Sequence, residues 1–215
     1  MATQSNSDAE KQVHLLELLS SRICHDLISP VGAIHNGLEF LEDMGPDALE
    51  DALELMKHST KQATTKLQAF RFAYGAGGRD PSITMKDVHH AMSAYFALES
   101  KVTFDWENGE ADRDEMPSGL CKLTAGALLL MGETLPKKGT ITVARESSTV
   151  HISAEGEPCK FRDGTVDALE GNCEIDNLDP RLVHPFVLGL SARGFGCSIT
   201  TDQGCLLYTS DAADE

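Results

Sequence analysis

The chain has 215 residues, 41% apolar and 24% charged, an ordinary globular composition with room for one large domain or two small ones. No window approaches the ~18 apolar residues that span a bilayer, and the opening MATQSNSDAEKQVH lacks the basic and apolar blocks of a signal peptide, so a cytoplasmic protein without membrane contact is expected. The formal charge is −16, with 11 acids against 6 bases over residues 1–74 and 23 against 12 over 75–215. Such a surface repels phosphate backbones and no basic patch offsets it, which disfavours nucleic acid and points to a protein partner.

From about Asp8 to Met44, Leu16, Leu19, Ile23, Leu27, Val31, Ile34, Leu38 and Leu41 recur at gaps of three and four, the seam of a bundle helix. The sequence MGPD then supplies a glycine stop, a proline suited to a first helical turn and acids that favour a helix N-terminus. A second helix follows through Leu49, Leu53, Met56, Ser59, Ala63, Leu67, Phe70 and Tyr74, up to GAGG, which reads as a flexible linker. Residues 8–74 are thus expected to form an antiparallel helical hairpin. Two helices cannot surround both apolar stripes, so a homodimer closing a four-helix bundle is its natural completion, with Ile23, Leu27, Met56 and Leu67 in the strip to be covered.

After a linker over 75–81 the pattern changes. MKDVHHAMSAYFALE and SGLCKLTAGALLLMGETL are helical, VTFDW, GTITVAR and TVHISAE are strand-like, and DGTVDALEG and DPRLVHPFVLGLSARGF are again helical. CSITTDQGCLLYT closes the series as a hairpin around DQG. An α/β domain over 82–209 is expected, with one sheet and its helices on one face. The last residues, CLLYTSDAADE (205–215), resemble the translation of a sequencing adapter and are expected to be a dispensable artificial tail.

Six cysteines show neither a CxxC pair nor zinc-ligand spacing, so free thiols and no metal site are expected. His89 and His90 are adjacent on a helix, about 100° apart, and cannot chelate one ion together. His58 lies with Lys57 and Lys61 on the second helix, where a solvated face is the ordinary reading and contact with an acidic partner the sharper one. Gly75, Gly77 and Gly78 are followed by no GK[ST] and form no phosphate loop.

One stretch carries chemistry: SRICHDLISPVGAIHNGLEFLED. At 100° per residue His25 lies about 200° from Ile23 and Leu27, off the seam and facing water. Ser21, Arg22, Ile28 and Ser29 are its neighbours one turn away and Gly32 lies two turns on, so small residues leave a lane open to another protein. Pro30 lacks an N–H, which deprives the Asp26 carbonyl of its helical partner, at a cost of about 3 kcal/mol, and is expected to bend the helix just past the histidine. Asp26 points about 100° away from His25 and must bend round to reach the ring.

HDLISPVGAIHNGLEFL is similar to the H-box of sensor histidine kinases, in which a histidine, an acid, a leucine and a Ser/Thr-Pro pair recur in this order. The resemblance implies that His25 accepts a phosphoryl group on a dimerisation and phosphotransfer hairpin, and that the α/β domain stands where a kinase carries its ATP-binding domain. The nucleotide boxes of a kinase are missing. Gly126 and Leu130 stand at about the two asparagine positions, AEGEPC keeps only Gly156 of the adenine loop, and the phosphate-lid glycines give way to DPRLVHPFVLGLSARGFG.

A kinase-like hairpin followed by a degenerate ATPase-like domain resembles the ChpT family of dimeric histidine phosphotransferases, as do ALLLMGETLPKKGTITV and LDPRLVHPFVLGLSARGFGCSI. That resemblance implies relay of phosphoryl groups between the receiver domain of a hybrid kinase and the receivers of response regulators through His25. It implies no cofactor in this chain, the Mg2+ being held by the receiver's own acids. By resemblance and helical position, Ser21, Arg22, Ser29, Pro30, Val31 and Gly32 are expected to dock the receiver, and Asp26 to orient the ring or influence its protonation. The alternative is a dimeric scaffold that binds receivers or kinases without passing phosphate.

Overall fold

In a computed structural model, which describes residues 2–80, 82–98, 101–107, 117–146, 149–202 and 205–210, the first helix, α1, runs from Ala2 to Met44. It passes through Pro30 without a break. Gly45 ends it with φ +68°, a conformation that costs a glycine little, and Pro46 opens a 3-10 turn over Gly45–Ala48. The second helix, α2, spans Leu49–Tyr74 with Glu50 and Asp51 in its first turn, where the helix dipole favours acids. The two are antiparallel: Gly37 faces Ala52 and Met56, while Asp26 faces Lys66. A Cβ on Gly37 would lie 2.7 Å from Met56 Cγ, so this glycine permits the close approach.

The second domain contains α3 (Met85–Ala97), β1 (Val102–Trp106), α4 (Leu120–Glu133), β2 (Gly139–Glu146), β3 (Thr149–Gly156), α5 (Thr165–Glu170), α6 (Val183–Gly194), β4 (Cys197–Asp202) and β5 (Cys205–Ser210). Thr84 and Asp87 cap α3 reciprocally, the Thr84 side chain accepting from the Asp87 N–H and the Asp87 carboxylate from the Thr84 N–H. The expected hairpin-plus-α/β architecture is what the structure shows. The sheet order is β1-β2-β3-β5-β4, with β1 and β2 parallel, joined across α4, and all other pairs antiparallel. Ile141, Val143, Val150, Ile152 and Ala154 are buried toward the helices, whereas Thr103 and Asp105 are exposed, the alternation of a sheet covered on one face.

The hairpin does not stand apart. Ala69, Phe70 and Ala73 of α2 share one core with Val88 and Met92 of α3 and Leu123, Leu128 and Met131 of α4. Leu15, Leu18 and Leu19 of α1 pack on a second cluster of Ala168, Leu178, Val183 and Phe186. This alters the seam expected from periodicity. Ile23 and Leu27 are half-buried against the main core, because the α/β domain covers that side, while Val31, Leu38, Leu53 and Leu67 remain exposed.

The segment expected to be a flexible linker is pinned as well. Ala76–Arg79 form a 3-10 turn, the Lys122 ammonium donates to the Gly75 carbonyl at 2.7 Å, the Gly119 N–H donates to Gly78 at 2.8 Å, and Arg79 lies over the Phe195 ring. Burial lowers the pKa of Lys122. Of the segment expected to be an artificial tail, Cys205–Ser210 forms β5, paired to both β3 and β4, and residues 211–215 lie outside the described residues, as do 203 and 204 in the expected DQG turn. Among the described residues no helix is long and apolar enough to cross a membrane.

Candidate functional site

His25 lies midway along α1 with its side chain 86% exposed. Its Nδ1 is 3.1 Å from Asp26 Oδ1, so the carboxylate does bend round the helix to reach the ring. An ionised carboxylate only accepts, so Nδ1 carries the proton of this contact, and in the neutral ring Nε2 keeps its lone pair. Pro30 is buried, and the Asp26 carbonyl that it leaves without a helical donor instead accepts from the Lys66 ammonium of α2 at 3.3 Å.

The residues expected around His25 divide into two groups. Ser21, Ser29 and Val31 are exposed, and a Cβ placed on Gly32 would meet nothing within 4 Å, so the lane past the histidine is open. Arg22 turns the other way. Its side chain is only 20% exposed and forms an ion pair with Glu133 at the end of α4. Burial works to lower its pKa, but Tyr74, Glu133 and Asp26 together outweigh burial and hold the guanidinium above its usual range.

The contact continues inward. The Arg22 charge also acts on Tyr74. The Tyr74 hydroxyl in turn donates to His184 Nδ1 at 2.8 Å, and His184 Nε2–H donates to the Gly126 carbonyl at 2.9 Å. Four helices, α1, α2, α4 and α6, thus meet in one polar chain. His184 is 1% exposed, and burial, assisted by the Arg22 charge, lowers its pKa to about 3. Burial likewise raises the pKa of Tyr74. Both remain neutral near pH 7, as a dry interface requires.

The two positions compared with kinase asparagines face inward. Leu130 is 2% exposed, and a Cβ on Gly126 would lie 2.9 Å from Leu188 Cδ1 and 4.0 Å from His184 Cε1. Helix α6 fills the space a chelating side chain would need there. Among the described residues no group of three His, Cys, Asp or Glu side chains could share a metal ion.

Lys66, Tyr74, Glu133 and His184 were not singled out from the sequence. For His184 a signal exists in LVHPFVLGL, an imidazole set in an apolar run. For the other three there is none, since their partners lie between 40 and 111 residues away in sequence.

Comparison with known proteins agrees with this architecture. Residues 85–204 match the family model for the histidine phosphotransferase C-terminal domain. Protein phosphotransferase ChpT of Brucella abortus (strain 2308) is 36% identical over 188 residues, covering 85% of this chain and 87% of that protein. The solved structure of a bacterial phosphotransferase superposes with a TM-score of 0.72 at 31% identity, covering 91% of this chain and 95% of the other. The chain belongs to the ChpT-like histidine phosphotransferases.

Proposed function

We propose that this protein relays a phosphoryl group between receiver-domain aspartates through His25. The observation that carries the reading is the pairing of an 86% exposed imidazole with a carboxylate on Nδ1. Nε2 attacks the phosphorus of a receiver acyl phosphate, the P–O bond to the aspartate breaks, and the aspartate leaves as carboxylate. The proton on Nδ1 stays with the ring, where Asp26 balances the positive charge of the phosphorylated imidazole. The return step is the reverse, with a second receiver's aspartate as nucleophile.

Such transfer depends on alignment and charge neutralisation more than on covalent help from the protein. Ser21, Ser29, Val31 and Gly32 border the approach, with Pro30 fixing the backbone beneath it. The Mg2+ is held by the receiver's own acids, and the chain uses no nucleotide of its own, in keeping with the space that α6 fills at Gly126. The exposed Val31, Leu38, Leu53 and Leu67 fit a second copy closing a four-helix bundle, in a homodimer working in the cytoplasm.

The test is incubation with receiver domains loaded from acetyl phosphate in Mg2+. Acid-labile label should appear on His25 and vanish in His25→Ala, with the fold unchanged. Receiver binding without label would establish the scaffold reading instead, and label on another residue would end the assignment of His25.

A further inference from the structure

We propose that Glu133, on the second domain, is a positioning residue for His25: by holding Arg22 it leaves the Asp26 carboxylate free to grip Nδ1–H and present Nε2 outward. The inference rests on the reading of His25 as the phosphoryl acceptor.

Arg22 stands three residues before His25 and four before Asp26. Residues at these spacings are neighbours on a helix surface, and an Arg–Asp pair at the four-residue spacing forms readily. The attraction already exists, since Asp26 is among the charges that raise the Arg22 pKa. It does not prevail because Glu133 takes the guanidinium first. Arg22 Nε is buried without a partner, so a guanidinium released from Glu133 has donors to satisfy, and Asp26, four residues on, is a carboxylate whose charge it already feels. A fork-to-fork Arg–carboxylate pair would engage both carboxylate oxygens and draw them toward residue 22, away from the imidazole.

The other groups facing this chain do not compete for that role. Tyr74, from α2, spends its hydroxyl proton on His184, and His184, from α6, is neutral. Lys66, also from α2, is bonded to the Asp26 backbone carbonyl rather than to the carboxylate. The degenerate domain would therefore do more than cover a face of the hairpin. Through two alternating charges it would set the tautomer of the nucleophile.

A built-in control exists. Lys11 and Asp176, 3.9 Å apart, also tie α1 to the second domain but are remote in sequence from His25 and share no partner with Arg22. Loosening that pair tests interdomain attachment alone.

The experiment uses the full chain labelled with 15N-histidine, together with a receiver domain loaded from acetyl phosphate. In the wild type the His25 ring should give an Nδ1 shift characteristic of a protonated nitrogen and an Nε2 shift characteristic of an unprotonated one. In Glu133→Gln the two should move toward each other and beyond, as the Nε2–H tautomer gains. The transfer rate at saturating receiver should fall roughly tenfold, the order expected for a misaligned nucleophile, with the half-saturating receiver concentration unchanged. Adding Arg22→Met to Glu133→Gln should restore the tautomer and most of the rate, because no guanidinium then competes for Asp26. Asp176→Asn should change neither readout.

Unchanged ring shifts in Glu133→Gln would overturn the inference. So would a slow Glu133→Gln that Arg22→Met fails to rescue, which would mark the ion pair as merely structural. A wild type that shows the expected ring shifts but takes no label would sink the relay reading and leave the positioning of the ring intact.

Discussion

Acidification should expose the energetic role of the buried His184. In the folded chain its pKa is lowered to about 3, chiefly by burial and then by the Arg22 charge, whereas an unfolded histidine titrates near its ordinary value of 6.5. Between those values the unfolded state binds a proton that the folded state refuses, so stability is present in full above pH 6.5 and is lost as the pH falls toward 3. At about 1.4 kcal/mol per pH unit, the step from pH 7 to pH 5 should remove about 2 kcal/mol through this one imidazole. His184→Gln cannot titrate. At pH 7 it should be less stable than the wild type by about 1–3 kcal/mol, since Tyr74 and the Gly126 carbonyl lose well-placed partners. At pH 5 that gap should shrink by about 2 kcal/mol. Urea unfolding of both proteins at the two pH values and one fixed protein concentration gives the double difference, in which the shared carboxylate titrations cancel. Parallel losses of stability in the two proteins would refute the reasoning.

Restoring an asparagine with Gly126→Asn should overpack the α4–α6 interface, where the added Cβ would lie 2.9 Å from Leu188 Cδ1. A loss of about 1–3 kcal/mol in thermal or urea unfolding is expected, and ATP titration in Mg2+ should be calorimetrically flat before and after the change. Val31→Glu combined with Leu38→Glu places charge on residues that are 55% and 48% exposed, so the single chain should tolerate it, while light scattering should report a monomer for the variant and the proposed dimer for the wild type. Gly32→Trp should keep the wild-type melting temperature, because its Cβ meets nothing within 4 Å, yet slow label transfer by obstructing the receiver.

Local periodicity was enough to place every helix and strand named above. The three-four spacing of α1 and α2, the Gly45–Pro46 break and the short β-branched runs of β2 and β3 are each decided within a few residues by side-chain alternation and backbone sterics. The same local reasoning put His25 off the apolar seam, because positions around a helix are fixed by its pitch, whereas the bend of Asp26 back to the ring came from the structure.

Direction across the interior was not legible in that way. The seam predicts that Ile23 and Leu27 need a cover, but periodicity carries no label for the surface that supplies it, and the α/β domain takes part of what a second hairpin was expected to cover. Arg22 could be placed one turn from the histidine by counting, yet whether its long side chain turns to solvent or to Glu133 depends on where α4 ends, 111 residues later. The insertion of β5 between β3 and β4 is likewise a matter of long-range pairing, since sequence neighbours β4 and β5 would form the same hairpin at a free edge. The sequence by itself determined the elements and the face on which His25 lies, because these follow from short-range geometry. Tertiary structure alone decided which charges surround that face, because an ion pair or a buried imidazole is set by packing between segments whose separation no local pattern records.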